Sequence, residues 1–359
     1  MKKKFLFLVF LTVAVIAAAA ERPPLYTIQT IAAPFKLTGA AAGDLNGDGV
    51  PDLILCGGKA GAAIFLSQKD GGFPKTPDRT FSEPYFNAAI FDFDGDGEND
   101  FILNGWQHYI TFFYAADRFA KPVPHYHWGE CHQTPAVFRN ADGTCDIFTA
   151  SGVRRIQKDG GIRRGFVMPD KGETRSMFSP CISDLDSDGN PDYVFRTDKF
   201  LYLYYGPLPN AGFNSHMPPS GFSKVEKIPL DSAFGAPVVF DCDADGLPEI
   251  LIGSASRDKT LVLASDHFGE FRSGKWKTLY PFGCRYVVAD FNGDGKSELA
   301  VIDKKSCRFL RSGESNPFLT VPLQTGGDVL EAVAAGCDGG KRSVLVVCGP
   351  DQVNLIKLL

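Results

Sequence analysis

Short apolar runs recur along this chain in groups of four, separated by turn residues. A brief run precedes an acidic stretch, as PVVF does before Asp241 and YVVA before Asp290. A second run follows at once: DLILCG, DFILNG, EILIGS, ELAVID. A third comes after a turn: AAIFLS, YITFFY, LYLYYG, LVLASD, CRFLRS. A fourth, more polar run closes the unit: KVEKIPL, WKTLYPF, FLTVPLQ. Runs of this length bounded by Gly, Pro, Asn and Asp predict strands rather than helices. The first two runs are nearly continuous in apolar residues, which predicts strands buried on both faces. The fourth alternates, which predicts an outer strand with one wet face.

The acidic stretches set the period. They read DLNGDGVPDLIL from Asp44, DFDGDGENDFIL from Asp92, DLDSDGNPDYVF from Asp184, DCDADGLPEILI from Asp241 and DFNGDGKSELAV from Asp290. Two weaker copies fill the gaps. FRNADGTCDIFT from Phe138 lacks the first Asp, and the stretch from Ala335, with Cys337, Asp338 and Ser343, has lost nearly all its acids. The successive steps are 48, 46, 46, 57, 49 and 45 residues. Four strands repeated at about 40–50 residues is the signature of propeller blades. The sequence therefore predicts an all-β fold, a seven-bladed β-propeller with four-stranded blades. The last unit has only three strands, ending in VNLIKLL, and LYTIQTIA near the start has no unit of its own. Leu25–Ala32 is expected to complete the seventh blade and so remove an exposed edge.

Each intact stretch carries side-chain oxygens at its first, third, fifth and ninth positions and Gly at its sixth. These are Asp44, Asn46, Asp48 and Asp52; Asp92, Asp94, Asp96 and Asp100; Asp184, Asp186, Asp188 and Asp192; Asp241, Asp243, Asp245 and Glu249; Asp290, Asn292, Asp294 and Glu298. Three or four carboxylates so close repel one another unless a cation sits among them. Calcium takes 6–8 oxygens in flexible geometry, and alternate loop positions plus one backbone carbonyl supply that shell. The seventh-position carbonyls of Val50, Glu98, Asn190, Leu247 and Lys296 are the expected backbone ligands. About five Ca2+ sites follow, because the third copy keeps only Asn140, Asp142 and Asp146 and the seventh keeps almost nothing. Mg2+ demands a stricter octahedron, and the lack of His and Cys ligands argues against zinc. The spacing begins like an EF-hand but lacks the Glu at position twelve and leads into strands.

These loops resemble the FG-GAP/VCBS repeats of integrin α-subunit propellers and of many exported bacterial proteins, over residues 25–359. The resemblance implies a propeller whose Ca2+ ions brace the blade loops. It does not imply one activity, since the family includes adhesion heads, lectins and the propeller cores of some polysaccharide lyases. The third and seventh copies depart from the pattern.

Composition adds the compartment. Lys2, Lys3 and Lys4 precede an uncharged, mostly apolar run from Phe5 to Ala20, with Ala18 and Ala20 placed for cleavage before Glu21. Residues 1–20 are expected to be a Sec-type signal peptide and 21–359 a single propeller domain, extracellular, periplasmic or at the cell surface, with no membrane insertion after cleavage. Cleavage moves the formal charge from −5 to −8, which argues against nucleic acid as a partner. The nine Cys show no regular spacing, so most are expected to be small buried hydrophobes, with one or two disulfides open in an oxidising compartment.

Two segments stand out for binding. Pro207–Phe222 is an insertion with no strand pattern, and His125–His132 (HYHWGECH) gathers His125, His127, Cys131 and His132 beside Tyr126 and Trp128. The latter matches no standard zinc spacing and is read as polar and aromatic contacts in an inter-blade loop. The leading expectation is a non-enzymatic binding or adhesion module for a glycan or protein partner. A polysaccharide lyase-like enzyme and a purely structural scaffold are the alternatives.

Overall fold

The structure is a computed structural model. It describes residues 25–68, 72–105, 109–126, 134–140, 142–149, 152–157, 162–164, 178–197, 199–206, 224–230, 236–253, 260–264, 275–277, 285–337 and 341–359. The expected signal segment, most of HYHWGECH, the Pro207–Phe222 insertion and Asp338 lie outside the described residues.

The strands form seven antiparallel sheets of four. The first blade runs Gly39–Gly43, Asp52–Cys56, Ala62–Phe65 and Arg79–Phe81. The second runs Tyr85–Phe91, Asp100–Gly105, Tyr109–Phe113 and Val123–Tyr126, and the third Ala136–Arg139, Cys145–Thr149, Gly152–Ile156 and Ile162–Arg164. The fourth runs Phe178–Ser183, Asp192–Arg196, Phe200–Tyr205 and Lys224–Pro229, and the fifth Val238–Phe240, Glu249–Gly253, Thr260–Ala264 and Lys275–Lys277. The sixth runs Arg285–Ala289, Glu298–Ile302, Ser306–Leu310 and Leu319–Pro322. The seventh takes Glu331–Cys337, Arg342–Cys348 and Gln352–Leu358 from the end of the chain and Tyr26–Ala32 from its beginning.

That last pairing is antiparallel and runs from Tyr26 opposite Leu358 to Ala32 opposite Gln352. It closes the ring as the sequence predicts. The first strand of each blade neighbours the first strand of the next, and the seventh returns to the first.

Because successive side chains on a strand point to opposite faces, each blade's second strand serves two boundaries. Leu53 and Leu55 pack toward the seventh blade with Val346 and Cys348. Ile54 and Cys56 pack toward the second blade with Phe101 and Leu103. The same division repeats around the molecule, and each of the seven blade boundaries holds one hydrophobic cluster. A fully buried Leu, Ile or Phe contributes about 1.5–3 kcal/mol, so the core is a ring of boundaries rather than a single centre.

One expectation needs correction. The first strand is largely half-buried in the third, fifth, sixth and seventh blades and is buried over only part of its length in the first and second. Ala136–Arg139 is half-buried throughout, and Arg285–Ala289 nearly so. The second and third strands are the buried ones, as in Asp52–Cys56 and Ala62–Phe65. The reason is position: the first strand is the inner edge of its blade, bordering the central channel, and so is covered less completely than the second and third strands, which have a strand on either side. The fourth strand alternates as expected, with Lys224–Pro229 showing every second residue turned outward.

Among the described residues Cys56, Cys145, Cys307, Cys337 and Cys348 are buried, and they, Cys181 and Cys242 carry no disulfide. Burial pushes the Cys145 thiol up to about 12 and that of Cys181 to about 11, which keeps both in the thiol form. Cys131 and Cys284 lie outside the described residues.

Candidate metal centres

Each acidic stretch joins the first strand of a blade to the second, so all of them lie at one end of the ring. The connections from third to fourth strand lie at that same end, because alternate hairpins of an antiparallel sheet share an end.

The loop is built on its first-position carboxylate. Asp44 accepts the Gly47 N–H at 2.7 Å through Oδ1 and the Gly49 N–H at 2.8 Å through Oδ2. Asp92 does the same for Gly95 and Gly97, Asp241 for Ala244 and Gly246, and Asp290 for Gly293 and Gly295. In the fourth blade Asp184 accepts from Asp188 and Gly189. The third position receives the N–H of the fifth, as Asn46 does from Asp48 at 3.0 Å. The fifth position in turn receives the N–H of the seventh, so Val50, Glu98, Asn190, Leu247 and Lys296 are each pinned by their own amides.

This curl needs left-handed backbone at the sixth position, where Gly49, Gly97, Gly189, Gly246 and Gly295 have φ between 81° and 93°. It also needs it at the fourth, which sequence reasoning missed. Ser187 at φ 60° and Ala244 at φ 64° hold that conformation without being glycine.

The ninth-position acids behave differently from the others. Asp52, Asp100 and Asp192 are fully buried, and Glu249 and Glu298 nearly so. Asp52 accepts from the Leu45 N–H at 2.8 Å and from the Ser67 N–H at 2.7 Å. Asp100 bridges Phe93 and Ala115 in the same way, and Asp192 bridges Leu185 and Gly206. Each carboxylate thus ties the acidic loop to the start of the third-to-fourth connection of its blade. Glu249 keeps the loop half of the bridge through the Cys242 N–H. Glu298 receives the Phe291 N–H at 2.9 Å and also the Asn292 side-chain amide.

The second position, which carries no ligand oxygen, is the loop's apolar foot. Leu45, Phe93, Leu185 and Phe291 are buried in boundary clusters. The alternation of acid and apolar residue at the head of the motif was the signal that could have found it.

Four of the five intact loops bring three carboxylates together, with one oxygen of each within 4.8 Å of the others: Asp92, Asp94 and Asp96; Asp184, Asp186 and Asp192; Asp241, Asp243 and Glu249; Asp290, Asp294 and Glu298. The first loop, with Asn46 at its third position, gathers no such trio among the described residues. Such all-oxygen clusters suit a hard cation of Ca2+ type.

The electrostatics point the same way. Burial, partly offset by the backbone amides, pushes Asp52, Asp100 and Asp192 up to about 6. Burial also raises Asp94, Asp186, Glu249 and Glu298, and neighbouring acids add to it. Their unfolded values lie near 4. Between about pH 4 and 6 the metal-free folded state therefore binds more protons than the unfolded chain, so its stability falls as pH rises through that window. Melting of metal-free protein is expected at a higher temperature at pH 5 than at pH 7.5, with calcium erasing the difference. A higher metal-free melting temperature at pH 7.5 contradicts this charge balance.

The third blade solves the problem in another way. Its first strand runs to Arg139 and its second begins at Cys145, so the connection is shorter than in the intact blades. Asp142 caps its own turn by accepting from the Thr144 amide and hydroxyl. Asn140 donates to the Thr144 hydroxyl. Asp146, the counterpart of the ninth-position acid, is fully buried. Both its oxygens receive Arg155, from Nε and Nη2 at 2.7 Å each. The Tyr193 hydroxyl of the fourth blade completes the shell at 2.8 Å. A guanidinium thus occupies the buried carboxylate of Asp146, while Asp142 and Asn140 are engaged by Thr144.

Elsewhere the loops are stitched to the following blade. The Asn99 side-chain amide donates to the Asp44 carbonyl at 2.8 Å, and the Ser343 N–H donates to the Asp290 carbonyl at 2.7 Å. At the opposite end of the channel, the Thr134 hydroxyl of the third blade donates to Glu331 of the seventh at 2.7 Å, across the ring, with Arg285 Nη1 3.9 Å from the same carboxylate.

Residues 44–103, which hold the first two loops, match the FG-GAP-like repeat family. This match and the seven-bladed ring together support the FG-GAP reading of the loops. No curated protein matches the chain. Among solved structures, one chain of the crystal structure of BBS1N in complex with ARL6DN, soaked with lead, is similar in fold. The TM-score is 0.58 with 12% identity, over 92% of this chain and 94% of that one. At that identity the likeness shows the fold alone. With 861 solved chains sharing it, the shape selects no activity. No helix among the described residues is long and apolar enough to cross a membrane.

Proposed function

We propose that this chain is an exported, non-enzymatic binding module, a propeller whose acidic loops hold Ca2+ and whose loop-bearing face docks a glycan or a protein. The observation that carries the calcium reading is the third blade. Where the loop is lost, the buried carboxylate has acquired a fixed cation, Arg155. Among the described residues, the buried ninth-position acids of the intact loops are found in no ion pair and are held by neutral donors such as backbone N–H groups, so a mobile cation is what balances their charge. Asp44 to Asp52 and the four carboxylate trios supply oxygen ligands, and calcium supplies the charge that lets them lie together.

The binding part of the reading rests on what the cations brace. Through Asp192 the fourth loop grips Gly206, where the connection carrying the 207–222 insertion begins. An ion in this loop stiffens the base of that connection. A rigid scaffold presenting loops is the usual arrangement for recognition. Export rests on the sequence of residues 1–20 alone.

The test is incubation of the mature protein, in calcium, with a panel of polysaccharides that includes uronates. Retention of protein without release of unsaturated or reducing products is the expected result. Product release abolished by chelation replaces this reading with an enzyme. Neither retention nor products moves the search to a protein partner.

A further inference from the structure

The intact loops are not equivalent: arginines lie against the fourth position of the second and sixth loops, and one of them is found ion-paired to a loop carboxylate among the described residues. Arg139 is the last residue of the third blade's first strand, yet it reaches back over the boundary to the second loop. Its Nη2 lies 3.1 Å from Asp92 Oδ1 and also donates to the Asp92 carbonyl. Nη1 donates to Gly143 of its own blade at 3.2 Å, and the guanidinium carbon sits 5.5 Å from the centre of the Phe91 ring. A Cβ built on Gly95 would stand 3.0 Å from Nη1, so the loop's fourth position is pressed against the guanidinium. Of the carboxylates in the five intact loops, Asp92 is the one found in an ion pair among the described residues. At the same first-position carbonyl the first and sixth loops receive neutral donors, the Asn99 amide and the Ser343 N–H.

We propose that Arg139 is a tethered counter-charge that makes the second loop the weakest divalent-cation site among the four clustered loops and links its occupancy to the third blade. This rests on the calcium reading given above. A divalent ion on Asp92 meets a fixed positive charge a few ångströms away and competes with it for the same carboxylate. Even at the dielectric constant of water, repulsion between charges of +2 and +1 at about 5 Å weakens binding by about tenfold. With Arg139 on Asp92, the second and third blades stay joined when the cation leaves. Among the described residues, no other carboxylate of the clustered loops is found in such an ion pair.

The experiment is calorimetric titration of CaCl2 into metal-free mature protein, comparing the wild type with Asp94→Asn, Arg139→Gln and Arg139→Lys. The wild type is expected to show tight sites and one weaker site. Asp94→Asn should remove the weaker one. Arg139→Gln should tighten it by about tenfold, and Arg139→Lys, which keeps the charge, should leave it weak. Melting in saturating calcium shows that each variant is folded. If Asp94→Asn removes a tight site, or Arg139→Gln changes nothing, the proposal falls and the calcium reading stands. If Arg139→Lys tightens the site as Gln does, charge is not the cause and the proposal falls. Absence of any calcium binding by the wild type overturns the calcium reading and this inference with it.

Discussion

Arg155→Met is expected to destabilise the protein by about 3–5 kcal/mol, with no recovery on adding calcium. The variant leaves Asp146 in a fully buried site with, among the described residues, the Tyr193 hydroxyl as its remaining partner and no ion pair. Removing one partner of a buried ion pair has that cost, because the remaining charge keeps its desolvation penalty. Calcium cannot substitute, since the third connection lacks the first-position acid and turns too tightly to wrap an ion. Adding Asp146→Leu should return most of the loss, because an apolar pair of similar volume is often as stable as the buried ion pair it replaces. A residual of about 1–3 kcal/mol is expected from loss of the Tyr193–Asp146 hydrogen bond. Equilibrium denaturation of the single and double variants reads both numbers. A single variant as stable as the wild type means that Arg155 is not the charge that Asp146 requires, and the main support for a cation in the other blades goes with it.

Saturating calcium is expected to raise the melting temperature of metal-free protein on the order of 10 °C or more. A ligand that binds only the folded state at 100 times its dissociation constant contributes about 2.7 kcal/mol per site, and four or five sites act together. The effect should be distributed according to loop. Asp186→Ala and Asp243→Ala should each remove a share of it, because each belongs to a carboxylate trio. Asp338→Ala, in the degenerate seventh copy, should leave it unchanged. Differential scanning calorimetry with and without calcium measures all of these. A melting temperature that ignores verified removal of metal rules out a bracing role. Equal shifts at all three positions contradict the division into intact and degenerate loops.

The ninth-position acids explain why one loop motif does two jobs. The sequence presents Asp52, Asp100 and Asp192 as further ligands of a solvated loop. In the fold they are buried bridges between two connections of one blade. A cation bound in such a loop, as proposed, would act on the third-to-fourth connection through a carboxylate that has almost no freedom to move. Removing Asp192 would break up a carboxylate trio and release two anchored amides together, whereas Asp52 and Asp100 anchor two amides each without joining a trio among the described residues. Removing a third-position acid such as Asp94 loses mainly the ligand.

Much of this was legible in the chain itself. The acid–glycine period fixes the number of blades, because each copy of the motif is the turn between two strands of one sheet. The unpaired LYTIQTIA segment and the three-stranded last unit require each other, since either alone leaves an open sheet edge. Oxygen-bearing side chains at alternate positions are local features, set within nine residues, and so they can be read without a fold. Contacts between blades cannot be read in this way. Arg155 stands nine residues from Asp146, and Tyr193, which completes its shell, stands 47 away. Arg139 is likewise 47 residues from Asp92. Nothing in the local spacing distinguishes these two arginines from surface residues. Strand register decides which of Arg154 and Arg155 turns toward Asp146, and ring closure decides which blade lies beside Asp92. The sequence alone determined the repeat, the ring and where acidic side chains are concentrated; the tertiary structure decided which of those acids gather and where a guanidinium already balances one, because charge balance in a buried site is a property of neighbours brought together by strand register and by the packing of blades.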